Sequence, residues 1–182
     1  MMVACGRGQT SSAGGPASGA PVRDGAPLAA EAPEAPSEQL ETLWARARDA
    51  SNANGSEPDE LARLAHKEGA AGLVERGAQP AWRETAIRAL AYADGWAGLP
   101  WLAEMADGAD AKEATLAVET ASALAARLRR AVDPEDAAEL HAGCNHLATI
   151  ANDAKKAKPV SLGASRALRM LADYGCTVTD GG

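Results

Sequence analysis

His141, Cys144 and His146 bring ligand-type side chains together in a 182-residue chain that holds only three His and three Cys, and metal binding is the chemistry they would support. On a helix, at about 100° per residue, His146 lies about 140° round from His141. One helix therefore cannot aim all three at a single ion. His141 and Cys144 share a face, but a site closed by four protein ligands needs two more from elsewhere, and the spacing matches no zinc pattern. No metal is expected, and His66 stands alone. No glycine loop follows a strand, so the dinucleotide and phosphate-loop signatures are absent. Glu84, Glu104, Glu113 and Glu119 read as solvated helix faces. Arg127, Arg129 and Arg130, and the run Lys155, Lys156 and Lys158, form two small basic spots that loop solubility and compensation of helix C-terminal charge explain. The expectation is a non-catalytic protein without a cofactor.

The amino terminus carries a different kind of chemistry. Met1-Met2-Val3-Ala4-Cys5 is followed by Gly6-Arg7-Gly8-Gln9-Thr10-Ser11-Ser12, and this string resembles the cleavage site of bacterial lipoproteins. In that family a short apolar segment ends in a small residue just before a Cys, which takes a thioether-linked lipid and becomes the first mature residue. Ala4 and Cys5 match the two positions nearest the cut, Val3 is acceptable at the next, and Met2 stands where Leu is usual. The resemblance implies lipid on Cys5 and attachment to a bacterial membrane on its periplasmic or surface face. An export signal needs a basic segment and about 7 to 15 apolar residues before the cut, more than the residues ahead of Cys5, so the resemblance also implies coding sequence upstream of Met1. The alternative is a cytosolic protein with Met1 as its true start.

From Gly6 to Ser37 the chain is mostly Gly, Ala, Pro and Ser, with Pro16, Pro21, Pro27, Pro33 and Pro36 among them. Such a composition cannot bury enough apolar area to offset chain entropy, so residues 1–36 are expected to be a lipobox remnant and a disordered tether. A flexible segment of that length spans roughly 30 Å on average and about 100 Å when extended, enough to hold a domain clear of a membrane. Residues 37–182 form the expected domain.

With Cys5 lipidated, Cys144 and Cys176 remain as an even pair in a compartment that permits disulfides. Cys144 falls within one predicted helix and Cys176 just after the next, and helices joined by residues 154–160 run antiparallel. The pair is either bonded or a pair of buried free thiols; the spacing alone does not choose.

The elements that position these residues follow from composition and period. Hydrophobic residues make up 46% of the chain, but aromatics are only 3% and Phe is absent. Alanine, roughly a quarter of the chain, must fill much of the core, and as the best helix former and a poor strand residue it points to an all-α fold. The net charge of −7 argues against binding nucleic acid, which needs a basic stripe. No run approaches the ~18 apolar residues of a transmembrane helix. Ser37 reads as the N-cap of a helix through about Ala50. A second helix opens at Ser56 and Pro58 and ends near Lys67, and Gly69 to Gly77 forms a short third. Helices then begin at Pro80, closing at Asp94-Gly95, and near Pro100. The best-patterned one carries Ala114, Ala117, Val118, Ala121, Leu124, Ala125 and Leu128. The last two start at Pro134 and just after Pro159. Seven or eight helices are predicted, paired into hairpins.

Hairpins of short helices suit a solenoid, because each pair buries its face only against the next. Around Trp82-Arg83-Glu84-Thr85-Ala86-Ile87-Arg88-Ala89-Leu90-Ala91, with Asp94-Gly95-Trp96-Ala97-Gly98-Leu99-Pro100-Trp101-Leu102 as turn and second helix, the chain resembles HEAT-repeat proteins, including the short repeats of phycobilisome-lyase-like proteins. The fold class implied is a short α-α solenoid of HEAT-like hairpins, and the function implied is a binding or scaffold surface for a protein or cell-envelope component. Trp82, Trp96 and Trp101 lie within twenty residues and are the candidate contact patch if exposed, since Trp is enriched at interface hot spots; otherwise they are core. The two functional readings are a lipid-anchored envelope protein with such a domain, and a cytosolic HEAT-repeat adaptor or lyase-like protein.

Overall fold

A computed structural model describes residues 36–52, 58–128 and 132–176 of the chain, all within the unit that begins at Glu34. Cys5, the expected tether, and Arg129 and Arg130 of one basic spot lie outside the described residues. Among those described the architecture is all-α, with seven helices and no strand: α1 (Pro36–Asn52), α2 (Pro58–Gly77), α3 (Pro80–Leu90), α4 (Leu99–Asp107), α5 (Ala111–Arg127), α6 (Ala137–Asn152) and α7 (Lys158–Leu171), followed by a 3-10 turn over Ala172–Tyr174.

Proline sets most of the starts. Pro58 and Pro80 open α2 and α3, and Pro100 and Pro159 are the second residues of α4 and α7, positions whose missing N–H would have no intrahelical partner. The start of α5 is held by its cap: Asp110 Oδ1 accepts from the backbone N–H groups of Lys112 and Glu113, each at 2.9 Å. Inside α2 the backbone breaks at Gly69 (φ 72°, ψ 166°), a combination open to glycine and costly for other residues. α2 is thus two helical pieces, as the reading of a helix to Lys67 and another from Gly69 to Gly77 expects.

Three expected boundaries are corrected. Ser37 is the second residue of α1, which begins at Pro36, and not its N-cap. α3 ends at Leu90, not at Asp94: the N–H groups of Ala91, Tyr92 and Ala93 turn to the carbonyls three residues back, and the tightened chain buries Ala93 and Trp96. α6 begins at Ala137, not at Pro134, because a turn in which Asp136 N–H donates to Asp133 O at 3.0 Å comes first.

The helices pack against some of their next and some of their next-but-one neighbours. α1, α3, α5 and α7 touch in succession, α4 packs on α6, and the pairs α1 and α2, α2 and α3, α4 and α5, and α6 and α7 join the two rows. The core between them is built from Ala86, Ala89, Ala103, Ala117, Ala121 and Ala164 with Leu90, Leu99, Leu102, Leu124, Leu147 and Leu168, plus the buried rings of Trp44 and Trp96. Small residues let helix axes approach closely. At Gly143 of α6 a Cβ would lie 2.5 Å from Leu99 Cγ of α4, so the α4 and α6 crossing requires the missing side chain.

Candidate interaction surface

A concavity of about 520 Å³ runs between α5 and α7. Thr115, Val118, Glu119, Ser122, Ala123 and Ala126 line it from α5, and Pro159, Leu162, Gly163, Arg166 and Met170 from α7. Both sets recur at intervals of three and four, so each is one flank of a helix. Gly163 sits directly against Val118, where any Cβ would collide with Val118 Cγ2, and this close approach makes the floor. The hydroxyls along the walls are satisfied within their own helix: Thr115 Oγ1 donates to Ala111 O at 2.8 Å and Ser122 Oγ to Val118 O at 2.9 Å. The groove is therefore chiefly apolar. Leu162, 58% exposed, is the large hydrophobic side chain that stands out among the described residues. Glu119 and Arg166 are exposed on opposite walls.

The three expected contact tryptophans do not form one patch. Trp96 is fully buried with its ring 5.0 Å from that of Tyr174; it is a core residue, which corrects its reading as a partner-binding one. Trp82 is half-buried, edge-on to Trp44 with centroids 5.7 Å apart. The guanidinium carbons of Arg48 and Arg76 lie 4.7 and 4.8 Å from its centroid. Arg76 also lies over Trp44 and forms a bidentate pair with Glu41, at 2.7 and 2.5 Å. That hydrogen-bonded pair holds the Glu41 carboxyl below its ordinary value and raises Arg76. A guanidinium over an indole contributes about 0.5–2 kcal/mol, so the cluster fastens α1, α2 and α3 together. Trp101, also half-buried, packs on Gly77.

The remaining candidates fall into structural roles. Cys144 and Cys176 are joined as a disulfide, their Cα atoms 5.9 Å apart across 32 residues. His141 is exposed. His146 Nε2 lies 3.4 Å from Asp107 Oδ2, while Lys156 Nζ pairs with Asp107 Oδ1 at 2.6 Å and donates to Asp107 O at 2.5 Å. The Lys156 hydrogen bond, with help from His146, lowers the Asp107 carboxyl from its ordinary range. His66 Nδ1 lies 3.6 Å from Asp94 Oδ2. Among the described residues no three His, Cys, Asp or Glu side chains gather as a metal-ligand group, and no described helix is long and apolar enough to cross a membrane. The basic spots act at helix ends. Arg127 donates to Ala91 O at 2.9 Å and to Ala93 O, just past α3, and Lys156 closes the end of α4, where cations meet the negative end of the helix dipole.

Neither the groove nor the stack of Arg48, Arg76 and Trp82 follows from the sequence reading. One signal for the groove is present there: Leu162 stands off the Val160, Ala164, Ala167, Leu168 and Leu171 stripe that α7 buries. No protein-family model matches this chain, and no curated protein or solved structure is significantly similar to it.

Proposed function

We propose that this chain is a bacterial lipoprotein, held at a membrane by lipid on Cys5, whose HEAT-like helical domain is a non-catalytic binding or scaffold module of the cell envelope. The observation that carries the compartment is the Cys144–Cys176 disulfide, because such bonds persist in oxidising compartments and are rare in a reducing cytosol. The hairpins of α4 with α5 and of α6 with α7 stack like on like, α4 on α6 and α5 on α7, the packing a hairpin solenoid uses, and this supports a repeat reading there; α3 and α4, the pair that carries the HEAT resemblance, are not among the packed pairs. The α5 and α7 groove supplies a surface of the kind that takes an apolar partner, since its hydroxyls are already bonded and its floor is aliphatic. Thiol trapping tests the compartment. In the envelope fraction of cells expressing the protein from its own locus, Cys144 and Cys176 should resist alkylation until a reductant is added. Two freely alkylated thiols in a cytosolic fraction would contradict the reading and favour the cytosolic adaptor.

A further inference from the structure

We infer that the outer face of α7 is the surface this domain lays on the anionic lipid of the membrane that holds it. This rests on the anchored-protein reading and adds which face meets the bilayer. Between Asp153 and Asp173 the chain carries Lys155, Lys156, Lys158, Arg166 and Arg169 and no acid, in a protein whose net charge is −7. Packing turns most of this run outwards. α7 buries Val160, Ala164, Ala167, Leu168 and Leu171, which leaves Lys158, Leu162, Arg166 and Arg169, at intervals of four, four and three, along its exposed side. Lys155, also exposed, stands in the turn that leads into the helix. Elsewhere cations are paired with carboxylates: Arg76 with Glu41, Arg83 with Glu113, Lys112 with Glu84 and Lys156 with Asp107. No carboxylate among the described residues pairs with Lys158, Arg166 or Arg169, and Glu119 stands across the groove on α5.

The apolar residue among these cations decides the kind of surface. Leu162 is 58% exposed and lies one turn from Lys158 on one side and one turn from Arg166 on the other. An acidic protein would need a pocket matched to it. A bilayer takes a projecting leucine into its acyl boundary while Lys and Arg stems reach back to the headgroups, and a basic helix with an apolar ridge reads as a membrane-surface helix. The net charge gives the chain as a whole no attraction to anionic lipid, but screening limits each charge to about 10 Å at 0.1 M salt. Helix axes pack about 8–10 Å apart, so acids on α1 and α3, further along the row from α7, act beyond that range. Each cation at the surface strengthens binding about fivefold. The contact is weak by itself and orients a domain that lipid on Cys5 keeps close to the membrane.

Vesicle co-sedimentation tests this on the full chain carrying Cys5→Ser, so that no acyl chain contributes. At about 0.05 M salt the protein should bind vesicles of about one third phosphatidylglycerol in phosphatidylcholine at least about tenfold more tightly than phosphatidylcholine alone, and about 0.5 M salt should remove the difference. Lys158→Gln and Arg166→Gln should each weaken that binding about fivefold, and Leu162→Ser at least about as much. Arg46→Gln, which removes an exposed cation of α1, should change it less than about twofold. In Leu162→Trp the added indole should be quenched by phosphatidylcholine brominated in its acyl chains only when phosphatidylglycerol is present. All these positions are exposed, so circular dichroism should stay unchanged and report any variant that fails to fold. Equal binding to the two kinds of vesicle would overturn the inference in favour of an acidic protein at this face, and an Arg46→Gln effect as large as that of Arg166→Gln would overturn it in favour of net charge alone. Lipid on Cys5 is read separately, so a lipidated protein whose Cys5→Ser form is indifferent to anionic vesicles would end this inference and leave the anchored-protein reading in place.

Discussion

The rings of Trp96 and Tyr174 lie 5.0 Å apart at an interplanar angle of 57°, so the buried indole of the loop after α3 is covered by a residue two positions before Cys176. Tyr174 Oη also donates to Ala125 O of α5 at 3.1 Å. The C-terminal turn is thus fastened three ways: by ring contact, by hydrogen bond and by the bond to Cys144 in α6.

Opening that bond should loosen the cover. Closing a loop across 32 residues contributes about 3–4 kcal/mol on the chain-entropy estimate, which corresponds to a fall of roughly 10 °C in thermal midpoint for a domain of this size. Reduced protein, or Cys176→Ser, should show that fall by differential scanning calorimetry, together with red-shifted tryptophan emission as Trp96 meets water. An unchanged midpoint would mean that the bond adds nothing to the fold.

Acid should destabilise the protein through identifiable pairs. Hydrogen bonds from Lys112 and then Arg88 lower the Glu84 carboxyl, as Arg76 lowers Glu41 and Lys156 lowers Asp107. A depressed carboxylate contributes stability that is fully present above its unfolded value, 4.5 for Glu and 3.8 for Asp, and is lost as pH falls through the lower folded one. Thermal stability should fall once pH drops below about 4.5. Glu84→Gln should be less stable than the parent near neutrality, by an amount that shrinks on acidification. A gap that stays constant from about pH 7 to about pH 3 would contradict the assignment.

Gly143→Ala sets two effects against each other. Alanine in a helix interior favours stability by about 1 kcal/mol over glycine, but overpacking a tight crossing costs about 1–3 kcal/mol. Here the new Cβ would meet Leu99 Cγ at 2.5 Å and the Leu99 backbone carbon at 3.1 Å, and backbone cannot rotate aside. We expect a net loss of about 1–2 kcal/mol in urea denaturation. A gain would show that α4 and α6 do not need the close approach.

Much of the helix plan is legible in the sequence, and the exceptions have physical causes. Pro58, Pro80, Pro100 and Pro159 locate four helix starts to within a residue or two, because proline's missing N–H is tolerated best there. Pro134 misleads by three residues, since it serves a turn ahead of α6. The end of α3 is obscured for a related reason. Ala93 continues the apolar period and is buried, but it reaches the core from a turn, and period alone does not separate the two. The groove is hidden because its walls, Val118 and Gly163 among them, come from helices some 45 residues apart in the chain. A helical period shows which face is apolar and not which neighbour leaves part of it uncovered. Trp82 is ambiguous for the opposite reason: Arg48 and Arg76 come from other helices, and only packing lays their guanidinium groups over the indole.

Everything proposed for this domain at a membrane depends on lipid at Cys5, and the decisive measurement is metabolic labelling with a fatty acid in cells expressing the protein from its own locus. Stable anchoring needs more than one acyl chain, at about 0.8 kcal/mol per buried CH2, and the net charge of −7 offers no attraction to anionic lipid in its place. We expect label on the wild-type protein in the membrane fraction, and an unlabelled, folded Cys5→Ser protein released from it. Wild-type protein that takes up no label and fractionates with the cytosol would contradict lipid anchoring.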